Sequence, residues 1–150
     1  MTLSLRDILG LNNRFGVRVD GIDLGMWGSC KGLGVEFNPE RIPQGGIYDY
    51  EAILPGQMKY KNITLRRPLN AVDSKKVQGW LGQMVSAWVH AAGSGSGGTA
   101  VITLFGSDAA PIISWTLRNV FPNKWEGPEL DTNTVGIAME TLELVHEGFL

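Results

Sequence analysis

The stretch AAGSGSGGTA, residues 91–100, holds Gly93, Gly95 and Gly98 at the spacing of a dinucleotide-binding fingerprint. That fingerprint works when a strand precedes the glycines and a helix follows them, so that the helix N-terminus faces the pyrophosphate. Here the order is reversed. Upstream, Val77, Trp80, Leu81, Met84 and Trp88 recur at helical spacing, and Asp73 is a fair N-cap, so the pattern predicts a helix over about 73–90. Downstream, TAVITLF (99–105) reads as a strand. The glycines would face the negative end of the helix macrodipole, which disfavours phosphate. No Gly-Lys-Ser/Thr follows, so a P-loop is excluded as well. The stretch is a Gly/Ser connector. Gly79 and Gly82 inside the helix each cost about 1 kcal/mol relative to Ala, and we read them as letting the helix pack closely on a sheet.

Outward from the helix the chain reads as strands. RFGVRVD (14–20) sets Phe15, Val17 and Val19 on one face, and Asp20-Gly21 is a hairpin signal before IDLGMW (22–27). GLGVEFNPERI (32–42) alternates, with Pro39 at an edge or bulge. Residues 43–58 form a long excursion between the turn signals Gly45-Gly46 and Pro55-Gly56, and they carry Ile47, Tyr48, Tyr50, Ile53 and Leu54. A purely solvated loop would not carry that apolar content. YKNITLRRPL (60–69) is a strand with Ile63 and Leu65 on one face. In the strand beginning near 112, Ile113, Trp115 and Leu117 share a face, and Pro122 bends it or marks an edge. TVGIAMETLELVHEGF (134–149) holds the last strand. Residues 1–13 are an apolar arm without clear periodicity. The expected fold is mainly β (α+β): an antiparallel sandwich or barrel-like core with one flanking helix, in a single domain over 1–150.

The bulk properties agree. At 150 residues the chain can bury a core without disulfides or metals, and 20 Gly and 7 Pro suit a turn-rich β protein. Net charge is -2 with basic residues dispersed, so no nucleic-acid or membrane footprint is expected. A single cysteine, Cys30, fits a reducing compartment and a small buried side chain. The opening MTLSLRDILGLNNRF lacks a signal-peptide pattern, so synthesis in the cytoplasm is expected.

No catalytic constellation emerges. His90 and His146 stand apart from each other and from any metal-ligand spacing, so no metal and no cofactor is expected. Glu140 and Glu143 face opposite sides of a strand, which argues against a paired acid and base. Arg66 and Arg67 read as a solvated or subunit-contact spot. Trp80, Trp88 and Trp115 have core patterning, whereas Trp27 and Trp125 suit a core edge or an interface.

Six motifs in order carry a resemblance. They are RFGVRVDGIDLGMWGSCKGLGVEF (14–37), Gly45-Gly46, LPGQMKYKNITLRRPL (54–69), VQGWL (77–81), ISWTLRNVFPNKWEGPELD (113–131) and METLELVHEGF (139–149). Together they resemble the tail-tube, or inner-tube, protein family of contractile phage tails and phage-tail-like contractile injection systems. The resemblance implies an Hcp/tail-tube-like fold and no catalysis. It also implies hexameric rings that stack into a hollow tube inside a contractile sheath, with cargo in the lumen. The implied partners are further copies of the chain, the sheath protein, and baseplate, spike and terminator proteins. On that reading Ile47, Tyr48, Tyr50, Ile53 and Leu54 bury against a neighbouring subunit, and the arm 1–13 does the same.

Two other readings compete. A monomeric β-barrel binding or adaptor module would need convergent polar groups in one pocket, and the sequence shows no such cluster. A hydrolase would need an elbow of the form G-x-S-x-G, and GSGSGG (93–98) does not supply it.

Overall fold

Strand β1 (Arg14–Val19) turns into β2 (Ile22–Trp27) through Asp20 and Gly21. Both turn residues have positive φ, 51° and 80°, the left-handed pair that a two-residue hairpin of this hand requires. Asp20 also accepts a hydrogen bond from Thr99 N at 2.9 Å, tying the turn to the start of the strand beyond the glycines. The computed structural model describes residues 14–46, 48–90, 96–129, 131–133 and 136–150. The arm 1–13, Ile47 and most of the Gly/Ser connector therefore lie outside the described residues.

After β2 come β3 (Ser29–Lys31), β4 (Val35–Glu36), β5 (Glu40–Pro43), β6 (Glu51–Leu54), β7 (Lys59–Tyr60) and β8 (Ile63–Pro68). Helix α1 (Ala71–His90) follows, then β9 (Gly98–Phe105), β10 (Pro111–Glu126) and β11 (Met139–Val145). Seven strands form one sheet in the order β2-β1-β9-β10-β11-β8-β3, with every pairing antiparallel. The two ends of that order are consecutive in the chain. Trp27 pairs with Phe15 of β1, Gly28 N donates to Arg66 O at 2.9 Å, and Ser29 pairs with Arg66 of β8. One bent segment, 22–31, thus supplies both edges, and the sheet closes on itself as a barrel.

Strand β10 joins the two halves. Its first part pairs with β9 and its second with β11, with register shifts around Asn119, at φ 51°, and around Pro122. Pro122 therefore interrupts the ladder without ending the strand. A proline cannot donate to the ladder, and the bulge beside it accommodates the missing hydrogen.

Inward-facing residues alternate as the sequence suggests. Val17, Val19, Leu24, Ile63, Leu65, Ala100, Ile102, Leu117, Leu142 and Leu144 are fully buried. Helix α1 closes the core with Val77 and Trp80, while Leu81 and Met84 pack at its margin. Trp27, expected at an edge or interface, is a core residue. Ile113, Trp115 and Leu117 share one face in an unbroken register opposite Leu104, Ile102 and Ala100, with Leu117 in the core and Ile113 exposed near the start of the strand. Trp88 is half-buried and lies 6.0 Å, centroid to centroid, from Phe121.

The start of the helix differs from expectation. Asn70, not Asp73, is the cap: its Oδ1 accepts from Val72 N at 3.0 Å and Asp73 N at 3.4 Å. Asp73 sits in the first turn, where a negative charge still meets the positive end of the macrodipole. Gly79 and Gly82 do not serve close packing, since a Cβ added to either would meet no atom within 4 Å.

Candidate assembly interface

Between β3 and β8 the chain leaves the barrel as a long two-part hairpin. Its base is the β4–β7 ladder, with Val35 opposite Tyr60. Its outer part is the β5–β6 ladder, with Glu40 opposite Leu54 and Pro43 opposite Glu51. Within the excursion drawn over 43–58, Pro43 and Glu51–Leu54 are strand, and the other described residues lie outside the ladders. Asn38, at φ 45°, and Pro39 break one side of the hairpin, and Pro55-Gly56 breaks the other.

Close approach at this break depends on glycine. A Cβ on Gly56 would overlap the backbone oxygen of Asn38 and come within 2.6 Å of its carbonyl carbon. Asn38 Nδ2 also donates to Gln57 O at 3.3 Å. The two sides of the hairpin are therefore in close backbone contact where the outer part meets its base.

Nearly every described residue from Glu36 to Lys59 is exposed. Tyr48 is fully exposed, and Tyr50, Ile53, Leu54, Phe37, Ile42 and Met58 are exposed as well. Directly opposed residues share a face of a ladder. One face therefore carries Ile42, Ala52 and Leu54, and the other carries Arg41 and Ile53. Four of the five residues singled out from sequence lie together on this projection, and Ile47 lies outside the described residues. Sequence reading missed Phe37, Ile42 and Met58. The period-2 pattern that flanks Pro39 carried Phe37 and Ile42, and drawing the excursion from residue 43 cut them off.

These exposed apolar side chains are gathered on one projection, although they are divided between the two faces of its ladder. Each Leu, Ile or aromatic side chain gains about 1.5–3 kcal/mol on full burial. Four such chains reach the scale of the 4–15 kcal/mol that association costs in lost freedom. The arrangement can bind protein.

The barrel is tied together by a buried charge cluster. Arg67, expected as a solvated spot, is 3% exposed and Glu140 is 0% exposed. The inward alternation that buries Ile63 and Leu65 also turns Arg67 inward, while Arg66 points out. Arg67 Nε donates to Glu140 Oε2 at 3.0 Å, and Nη1 donates to Leu24 O at 2.6 Å. Its guanidinium lies 3.9 Å from the Trp27 ring centroid, close enough for a cation–π contact. Ser74 Oγ donates to Glu140 Oε2 at 2.6 Å, and Trp125 Nε1 donates to Oε1 at 3.0 Å. Burial pushes the Glu140 carboxyl up, but the bonds from Ser74, Arg67 and Trp125 and the Arg67 charge outweigh it and hold it below its ordinary value. The cluster joins β2, β8, α1, β10 and β11 at one point.

The other titratable groups are structural. His146 Nε2 contacts Lys61 O at 2.9 Å, and Nδ1 accepts from Gly148 N at 3.1 Å, which places the ring proton on Nε2. Burial and the Arg118 charge lower its pKa against the Lys61 bond. Cys30 is half-buried, and burial raises its thiol to about 11. Glu143 faces away from Glu140 and accepts from Asn62 Nδ2 at 3.1 Å. Among the described residues no group of three or more His, Cys, Asp or Glu could hold a metal ion, and no helix is long and apolar enough to cross a membrane.

Two adjoining clefts form a groove beside the barrel. A cleft of about 820 Å³ is lined by Arg14, Met26, Phe105 and Ser107 at one end of the barrel. A second, of about 390 Å³, shares Arg14 and Met26 and continues to Trp27, Arg67 and Asp73 beside the helix N-terminus.

Comparison with known proteins gives a consistent result. The family described as "T4-like virus tail tube protein gp19" matches residues 11–150. Among solved structures, a chain of the anti-feeding prophage baseplate superposes with TM-score 0.66 at 19% identity, covering 91% of this chain and 89% of that one. A chain of an extracellular contractile injection system, in its extended sheath–tube complex, gives 0.64 at 20% identity, covering 90% and 85%. A chain from the sheath/tube terminator of that system gives 0.65 at 20% identity, covering 99% and 94%. At these identities the structural likeness establishes a shared fold. No curated protein sequence matches the chain.

Proposed function

The chain belongs to the tail tube protein family of T4-like viruses, and on that premise we propose that it builds the inner tube of a contractile particle through the hairpin β5–β6. The tube subunit is a single domain. It forms hexameric rings, and the rings stack into a hollow tube inside a contractile sheath. Ile47, Tyr48, Tyr50, Ile53 and Leu54 bury against a neighbouring subunit. A ring needs heterologous contacts, in which a projection on one copy meets a different surface on the next. The observation that carries this reading is the exposed apolar hairpin, which has no cover among the described residues. The fold shared with a six-fold-symmetrised baseplate assembly and with a sheath–tube complex supports sixfold rings and sheath, baseplate and terminator partners. The lumen carries cargo, and the subunit performs no reaction.

The test is sedimentation across a concentration series with negative-stain electron microscopy. The full chain should give rings or hollow tubes of uniform diameter. A variant with residues 41–53 replaced by Asn-Gly keeps the base of the hairpin and should stay monomeric. Normal tubes from that variant would remove the hairpin from the assembly. A full chain that stays monomeric, even with a preformed baseplate, would return the protein to the adaptor reading.

A further inference from the structure

The hairpin needs a receptor, and the groove at the barrel end has the matching chemistry. Its apolar lining comes from Met26, Phe105 and Trp27, and both of its clefts share Arg14. Arg14 is exposed and has no ion pair or hydrogen bond among the described residues. Asp73 is the one carboxylate in the lining, and Arg67 at 4.0 Å and Lys76 at 3.6 Å already engage it. The groove therefore presents an apolar floor and one uncommitted cation. The hairpin tip presents the converse: Tyr48 and Tyr50 alternate with Asp49 and Glu51, all exposed, and neither carboxylate has an ion pair among the described residues.

We propose that the groove lined by Arg14, Met26 and Phe105 receives the tip of the β5–β6 hairpin from a second copy of this chain, with Asp49 or Glu51 facing Arg14 and the tyrosines against Met26 and Phe105. This rests on the assembly role of the hairpin and names the surface it occupies. Desolvation at such a seat strengthens a charge pair that would be weak on an open surface. Reversing one member leaves two like charges in contact, and reversing both restores attraction.

The test is a charge swap in the full chain, read by sedimentation at fixed concentration. Arg14→Glu should weaken association about tenfold or more. The pair Asp49→Arg and Glu51→Arg should do the same. The three substitutions together should recover most of the assembled fraction, and higher salt should weaken the wild-type contact. Unchanged thermal unfolding of each variant shows that the barrel is intact.

If replacing 41–53 abolishes assembly but the swap gives no recovery, the hairpin binds elsewhere and this inference falls while the assembly role stands. If replacing 41–53 leaves assembly normal, both fall. If deleting residues 1–12 mimics Arg14→Glu and the swap gives no recovery, the groove belongs to the chain's own N-terminal arm, which also overturns the inference.

Discussion

Glu140→Gln isolates the strength of the buried cluster. The substitution keeps the shape of the side chain and removes its charge. Arg67, 3% exposed, then loses its close anionic partner and keeps carbonyl contacts to Leu24 at 2.6 Å and Met26 at 3.4 Å, the Trp27 ring at 3.9 Å and a distant Asp73 at 4.0 Å. The amide must also place an NH₂ where Ser74 or Trp125 now donates. Breaking a buried ion pair from one side costs about 3–5 kcal/mol, mostly the uncompensated charge. For a chain of this size each kcal/mol moves the midpoint by about 2–4 °C, so Tm should fall by roughly 6–20 °C. The assay is thermal or urea unfolding at a concentration where sedimentation shows one species for both proteins. Arg67→Met combined with Glu140→Gln should recover much of the loss, because the stranded cation is gone. A loss under about 1 kcal/mol, or no recovery in the double variant, would refute the view that this cluster is dry and mutually dependent.

Gly79→Ala and Gly82→Ala should each stabilise by up to about 1 kcal/mol, seen as a higher unfolding midpoint, since the added methyl meets nothing within 4 Å. Gly56→Ala should leave the barrel's unfolding midpoint nearly unchanged yet weaken assembly in sedimentation, because the methyl collides with the Asn38 backbone where the hairpin meets its base. Cys30 should react with a thiol reagent at pH 8 far more slowly than a free thiol, with the rate rising toward its pKa of about 11. His146 has a lowered pKa in the folded state, so the folded state favours the neutral ring. Its contribution is complete above the ordinary value of 6.5 and is lost as pH falls from there through the folded pKa. His146→Phe should therefore flatten the stability profile just below pH 6.5.

Much of the barrel was legible because alternation has a physical cause that acts locally. Val17 and Val19, Ile63 and Leu65, and Leu142 and Leu144 all point where a period of two puts them. The turn at Asp20-Gly21 was legible because few dipeptides tolerate two positive φ values. Arg67 was misread because the same alternation was applied to Ile63 and Leu65 and stopped at a charged residue. Its partners Glu140 and Leu24 lie 73 and 43 positions away along the chain, and no local pattern announces them. The apolar content of the hairpin was visible in the sequence. Its pairing was not, because a ladder between two solvated strands leaves no buried face to pattern the sequence. The groove was invisible for a related reason. Arg14, Met26 and Phe105 meet only once β1, β2 and β9 lie side by side.

Closing the barrel with the single segment 22–31 has a mechanical consequence. An open sheet fails by peeling one edge strand at a time, each rupture loading the next ladder. Here both edges are one covalent piece, so stripping Trp27 from Phe15 pulls at once on Ser29 against Arg66. Among the described residues the two end strands of the seven-stranded sheet are joined through Gly28, so force on one loads the ladders at both ends. A column of such subunits under axial thrust yields first at the contacts between copies, which can re-form, and spares the folded chain, which would refold slowly. That order of failure suits a rod that is driven forward once at speed.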